Sequence, residues 1–140
     1  MMLTLGEQMA RVGRHYGRRT ALISSHGNMN WGDFSSRVSV AAGVLHGLGL
    51  APGERIAIHS RNSERFDELK WGAFHAGIVA VPINWRLAPP EIAHILQDSN
   101  CETIFVENDF MEVFDADDLK PWRNKLISLT VSPDLSLIHI

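Results

Sequence analysis

Hydrophobic positions along the chain fall into two periods, and their alternation predicts the order of elements. Leu5, Met9, Val12 and Tyr16 recur at steps of four and three, which predicts an amphipathic helix turning that stripe towards a core. Thr4 and Glu7 stand at the spacing of a capping box at its start, and Gly17 marks its end. Gly6 and Gly13 lie inside it and lower its intrinsic helicity. Thr20 to Ser24 then reads as a short strand, Ser25 to Asn28 as a turn, and Met29 to Trp31 as the return strand of a hairpin. From Asp33 to Leu48 the apolar residues Phe34, Val38, Ala41, Leu45 and Leu48 again step by four and three, so a second helix is predicted.

After the turn at Pro52-Gly53, Arg55 to His59 alternates as a strand through Ile56 and Ile58. Ser63 is positioned to cap a third helix, with Glu64 beside the positive end of its dipole and Phe66, Leu69, Ala73 and Ala76 as its buried face. Gly77 closes that helix, and the continuous run from Ile78 to Val81 predicts a strand covered on both faces. Pro89 and Pro90 open a fourth helix carrying Ile92, Ile95 and Leu96. Thr103 to Val106 is a second two-sided strand, followed by an acidic, irregular stretch from Glu107 to Asp118. Strand and helix alternating with short connections predict an α/β fold, with helices packed on a largely parallel sheet.

Composition sharpens this picture by exclusion. The chain has 140 residues, of which 45% are hydrophobic, enough to build a packed core. A formal charge of −3 gives no basic excess for nucleic acid. Cys101 is the sole cysteine, which excludes an intramolecular disulfide and a thiolate zinc cluster and fits a cytoplasmic setting. No apolar run approaches the ~20 residues that span a bilayer. The first 20 residues contain Glu7 and four arginines without an apolar h-region, so they read as a folded helix and not as a secretory signal.

Candidate chemistry is sparse. Gly43, Gly47 and Gly49 do not follow a strand and open a helix, so they fail the context of a dinucleotide fingerprint. The seven histidines form no helical i, i+4 pair, and His75, next to buried helix positions, has no visible partner. Ser63 has no base at triad spacing. Cys101 reads as a small apolar filler, and the acidic residues Glu107, Asp109, Glu112, Asp115, Asp117 and Asp118 as a solvated face without the glycine of a calcium loop. No catalytic, cofactor-binding or metal-binding residue is assigned. The residues alone therefore leave a stand-alone, non-catalytic α/β binding or interaction module open as a reading.

Two stretches carry a resemblance. MNWGDFSSRVSVAAGVLHGLGLAPGERIAIHS, from Met29 to Ser60, and GAFHAGIVAVPINWRLAPPEIAHILQDS, from Gly72 to Ser99, are similar to the early part of the acyl-CoA synthetases of the adenylate-forming (AMP-binding) superfamily. Ala76-Gly77, Val81-Pro82 and Asn84 through Leu87 match that family's alanine-glycine, valine-proline and asparagine-x-arginine-leucine elements. The resemblance covers about residues 3 to 110. It implies the first portion of the large N-terminal domain of a two-step ligase, in which a carboxylate attacks the α-phosphate of Mg-ATP and the resulting acyl-adenylate passes its acyl group to a thiol, usually coenzyme A. The implied partners are a small carboxylic acid and coenzyme A, with ATP and Mg2+ as cofactors of the whole protein.

That family's phosphate loop, magnesium-binding glutamate, ribose-binding aspartate and C-terminal lysine have no counterpart here. The matched residues Gly77, Pro82, Asn84, Arg86 and Leu87 are therefore expected to be scaffold. Gly77 would let a helix turn sharply into a strand, and Pro82 would end ladder donation as the strand leaves the sheet. Asn84 and Arg86 would fix the following loop by hydrogen bonds. For Arg86 a local pairing is favoured over a direct substrate contact, which stays open. Residues 1–132 are expected to be an incomplete AMP-binding domain, and residues 133–140, ending in the run LSLIHI, a non-native tail. A fragment of this kind is expected to leave its strands 78–83 and 103–106 short of cover.

Overall fold

The computed structural model describes residues 2–130 and the backbone of 138–139. Most of the expected tail at 133–140 lies outside the described residues. The chain divides into two compact units, one formed by Met1–Glu54 with Asp67–Ile78 and the other by Arg55–Phe66 with Val79–Ile140.

The first unit begins with α1 (Leu5–His15), which has the expected capping box: the Thr4 hydroxyl accepts from the Glu7 amide while the Glu7 carboxylate accepts from the Thr4 amide. The Thr4 amide, and the Thr4 hydroxyl that donates to the same carboxylate oxygen at 2.9 Å, hold the Glu7 carboxyl below its ordinary range. The buried face of α1 is not the expected stripe. Met9 is buried, but Leu5 and Tyr16 are 47% and 49% exposed. Glycine explains the rotation. A Cβ on Gly6 would stand 2.9 Å from the His75 Cα, and one on Gly13 would stand 2.6 Å from the Ser35 Cβ. The residues without side chains mark the closest approach, so the contact face runs through Gly6, Met9 and Gly13.

The hairpin β1 (Thr20–Ser24) and β2 (Gly27–Asn30) pairs antiparallel around a turn at Ser25-His26. The return strand ends earlier than expected, because Asn30 accepts from the Asp33 amide at 2.7 Å and caps α2 (Trp31–Gly47). Phe34, Val38, Ala41, Ala42 and Leu45 are the buried face of α2. In α3 (Glu64–Ala76), Ser63 accepts from the Phe66 amide at 3.1 Å, as the sequence predicts. Buried Glu68 receives Arg37 at 2.5 Å, and Gly72 lies so close to α2 that a Cβ there would meet the Ala41 Cβ at 2.6 Å. Gly77 ends α3 at φ +75°, a conformation that favours glycine.

The second unit holds the sheet. β3 (Arg55–His59), β4 (Val79–Ile83), β5 (Thr103–Glu107) and β6 (Leu126–Leu129) are parallel in the order β4-β3-β5-β6, and β7 (Ile138–His139) adds antiparallel to β6. α4 (Pro89–Ser99) and two 3-10 segments, Asn108–Asp115 and Asp117–Lys125, supply its cover. Ala57, Ile83, Ile92, Leu96, Cys101, Ile104, Val106, Phe114 and Leu119 form one core. Cys101 is wholly buried, and burial pushes its thiol pKa up.

The two strands expected to be covered on both faces differ. β5 is central, and Ile104, Phe105 and Val106 are fully buried within this chain, so it is not short of cover. β4 is the edge strand, and its Val79 is 45% exposed. Pro82 sits inside β4 opposite Ile58, one residue before the strand ends, and not at the exit from the sheet. An edge strand tolerates a residue that cannot donate.

Candidate functional site at the carboxyl ends of the strands

From β3 the chain crosses to β4 on one side and then returns past β3 to β5 on the other. The strand order therefore reverses between β3 and β5. In open parallel sheets, the crevice beyond the carboxyl ends at such a reversal is where ligands bind, because the two connections diverge and leave a gap.

Ser60 and Arg61 leave β3 at this gap, and Glu107 is the last residue of β5. Glu107 is buried, which overturns its assignment to a solvated acidic face. Its Oε2 accepts from the Arg61 amide at 2.9 Å and lies 3.0 Å from the Ser60 hydroxyl, while its Oε1 accepts from Arg61 Nε at 2.9 Å. The Ser60 hydroxyl is also 2.9 Å from the Arg61 carbonyl, so its single proton serves one acceptor at a time. Arg61 reaches on to Asp109, and the two carboxylates raise its pKa. A cleft of about 350 Å³ is lined by Arg61, Asn62, Ser63, Glu107, Asn108, Asp109 and Thr130.

Behind this clamp, His59 is fully buried with both ring nitrogens unpartnered among the described residues. It meets the rings of Phe110 and Phe114 edge-on, at centroid distances of 5.5 and 5.7 Å. Burial lowers its pKa, and the charge of Glu107 opposes that shift. Phe110 in turn stacks on Trp85 at 5.4 Å. The Arg61 guanidinium lies over Phe110 and that of Arg86 over Trp85, at 5.1 and 4.8 Å. The segments that follow β3, β4 and β5 thus meet in an aromatic pair, each ring of which carries a guanidinium.

Of the matched motif residues, Asn84 Oδ1 accepts from the Arg86 amide at 3.0 Å and the Asn84 carbonyl from the Leu87 amide at 3.1 Å. Leu87 packs half-buried against the core. Arg86 is exposed, and its side chain rests on Trp85. A second cleft, of about 360 Å³, runs past Ser60, Asn62, Phe66, Pro82, Ile83, Asn84 and Trp85. Gly77, at the end of α3, belongs to the other unit. His75 is exposed. The sequence reading missed Ser60, Arg61, Glu107 and His59. The available signal was their position, since His59 ends a predicted strand, Ser60 and Glu107 directly follow one, and Arg61 stands two residues past one.

The arrangement can hold a loop and shape a cleft. Glu107, the carboxylate nearest the Ser60 hydroxyl, is committed to Arg61. Among the described residues no group of three or more His, Cys, Asp or Glu could hold a metal ion, and no helix is long and apolar enough to cross a membrane.

The family described as "AMP-binding enzyme" matches residues 9–136. The chain is 46% identical over 69 residues to the fatty acid–[acyl-carrier-protein] ligase ScoC of Streptomyces coeruleorubidus, a match covering 49% of this chain and 13% of that protein. It is 40% identical over 88 residues to the long-chain-fatty-acid–CoA ligase FadD13 of Mycobacterium tuberculosis, covering 63% of this chain and 18% of the other. The inhibitor-bound crystal structure of the N-terminal domain of FACL13 from Mycobacterium tuberculosis superposes with a TM-score of 0.83 at 31% identity, over 91% of this chain and 33% of that one. The chain therefore spans less than a fifth of the curated relatives' length.

Proposed function

The chain belongs to the AMP-binding enzyme family, and from that premise we propose that residues 1–132 are the N-terminal portion of an ATP-dependent acid–thiol ligase. In that reading the whole protein activates a fatty or related carboxylic acid as its adenylate and transfers the acyl group to coenzyme A. One observation carries it: the relatives named above are ligases of fatty acids to coenzyme A or acyl-carrier protein, and this chain aligns with only a small part of each. ATP, Mg2+ and coenzyme A belong to that larger protein.

The residues present do not fit ATP or its magnesium. Arg61, the cation at the strand-end crevice, is engaged by Glu107 and Asp109, and among the described residues no group of three or more His, Cys, Asp or Glu could hold a metal ion. No step of the reaction is therefore assigned to this chain. Its contribution is to set the crevice: Glu107 fixes the Ser60-Arg61 exit from β3, and Asn84 fixes the turn that places Trp85 and Arg86. The single, buried cysteine supports a cytoplasmic setting.

Carboxylate-dependent pyrophosphate release by the purified 140-residue chain tests the reading. The expected result is no release above a protein-free control, across fatty and aromatic acids. Sustained turnover would overturn the assignment of catalysis to residues outside this chain. Sequencing the transcript downstream is the companion test, where a Ser/Thr/Gly-rich loop ending in lysine is expected.

A further inference from the structure

Four of the 13 basic side chains fall within nine residues: Arg11, Arg14, Arg18 and Arg19, with His15 among them, and no acid stands between Glu7 and Asp33. A chain of net charge −3 thus gathers a local cationic segment at its first helix. All four arginines and His15 are exposed. Two apolar residues there, Leu5 and Tyr16, are exposed too, and Val12 between them is half-buried. Because the contact face of α1 runs through Gly6, Met9 and Gly13, the stripe of Leu5, Val12 and Tyr16 is turned partly outward, with Leu5 and Tyr16 about half exposed. At 100° per residue, Leu5, Val12 and Tyr16 share one line of the helix, and His15 and Arg11 come next around it. A shallow cleft lined by Arg11, Val12, His15 and Tyr16 lies along that border. Arg19 is held over the Tyr16 ring at 5.2 Å. Met2, just ahead of the helix, is also exposed.

We propose that this face of α1 is a docking surface for an anionic lipid bilayer, with Leu5, Val12 and Tyr16 entering the headgroup boundary and Arg11, Arg18 and Arg19 contacting lipid phosphates, while Arg14 lies on the opposite line of the helix. Two features select this occupant. The arginines supply charge complementary to anionic headgroups, and the adjacent apolar line matches the interfacial mode of amphipathic helices. A nucleic-acid partner would use the charge but leave Leu5 and Val12 without a role. The inference does not depend on the ligase reading.

Co-sedimentation of the chain with large unilamellar vesicles tests it, comparing phosphatidylcholine alone with phosphatidylcholine containing 30 mol% phosphatidylglycerol, on the order of the anionic content that attracts basic segments. Binding is expected only with the anionic lipid, and it is expected to fall steeply as salt is raised. Arg11→Gln, in the helix, and Arg18→Gln, in the turn after it, each remove one charge and keep a long polar side chain, and each should weaken partitioning by about fivefold. Leu5→Ser should weaken it without changing the salt dependence. The wild-type salt series needs no variant to fold, so it decides the matter even if a variant is unstable. Equal binding to both vesicles, unchanged by salt or by the arginine substitutions, overturns the proposal in favour of simple apolar adhesion. Binding to a single-stranded oligonucleotide with none to anionic vesicles overturns it in favour of a nucleic-acid surface.

Discussion

Replacing Glu107 by alanine removes the residue that joins the exits of β3 and β5, and the structure sets the expected cost. The carboxylate is buried and accepts from three N–H donors of Arg61, the backbone amide and Nε at 2.9 Å each and Nη2 beside them. Counting each as a charge-assisted bond of ~1.5–3 kcal/mol overstates the loss, because the partners differ in what they can recover. The Arg61 side chain is 47% exposed and keeps Asp109. Its share is therefore near that of a surface pair, about 0.5 kcal/mol. The Ser60 hydroxyl retains the Arg61 carbonyl. The Arg61 amide loses its buried acceptor, which costs about 1 kcal/mol. The space vacated by the carboxymethyl group adds about 1 kcal/mol. Desolvation of the buried carboxylate, relieved by the substitution, works the other way.

The net expectation for Glu107→Ala is a loss of about 2 kcal/mol. Glu107→Leu fills the space and should lose about 1 kcal/mol, while Glu107→Gln, which turns an amide N–H2 towards Arg61, should fall between the two. Equilibrium urea unfolding followed by tryptophan fluorescence measures all three, since Trp85 and Trp122 both lie in this unit. If alanine costs less than about 0.5 kcal/mol and the three variants coincide, Glu107 is not the clamp described here.

Gly72→Ala should destabilise the first unit by about 1–3 kcal/mol, because the new methyl meets Ala41 at 2.6 Å and backbone at 3.1 Å; a thermal melt at or above the wild-type midpoint would contradict that packing. Cys101 should react with a disulfide reagent far more slowly in the folded chain than in urea, as burial both blocks access and raises its pKa; equal rates would show that the site opens readily. His59 has its pKa depressed in the folded state, so the unfolded chain binds more protons below about pH 6.5, and stability should fall as pH drops from there through the folded pKa. His59→Leu, close in volume and without buried unpartnered nitrogens, should flatten that part of the urea-midpoint profile, and an unchanged slope would refute the assignment.

Elements were legible wherever one local rule decided them. The capping box of Thr4 and Glu7, the Ser63 cap and the glycine stop at Gly77 each depend on residues a few positions apart. Register and facing were less legible. α1 is rotated away from its apolar stripe because two glycines permit an approach that larger residues forbid, and the composition of a helix does not say which neighbour will come close. β4 and β5 read alike as apolar runs, but the order β4-β3-β5-β6 makes one an edge and the other central, a property of the sheet and not of either segment.

The site was hidden for a related reason. Arg61 and Glu107 are 46 residues apart, and only the pairing of β3 with β5 in register, His59 opposite Val106, brings their strand ends together. In sequence Glu107 opens an acidic stretch whose later members are mostly exposed, so averaging over the stretch gave it the wrong environment. Asp109 stays 67% exposed two residues further on and serves the same arginine. The boundary between buried and solvated carboxylates thus coincides with the end of β5, where the backbone leaves the ladder. A carboxylate ending one central strand, and an arginine just after its parallel neighbour, can be sought as a pair at any point where strand order reverses. Geometry there supplies the proximity, and burial of one partner makes the pairing obligatory.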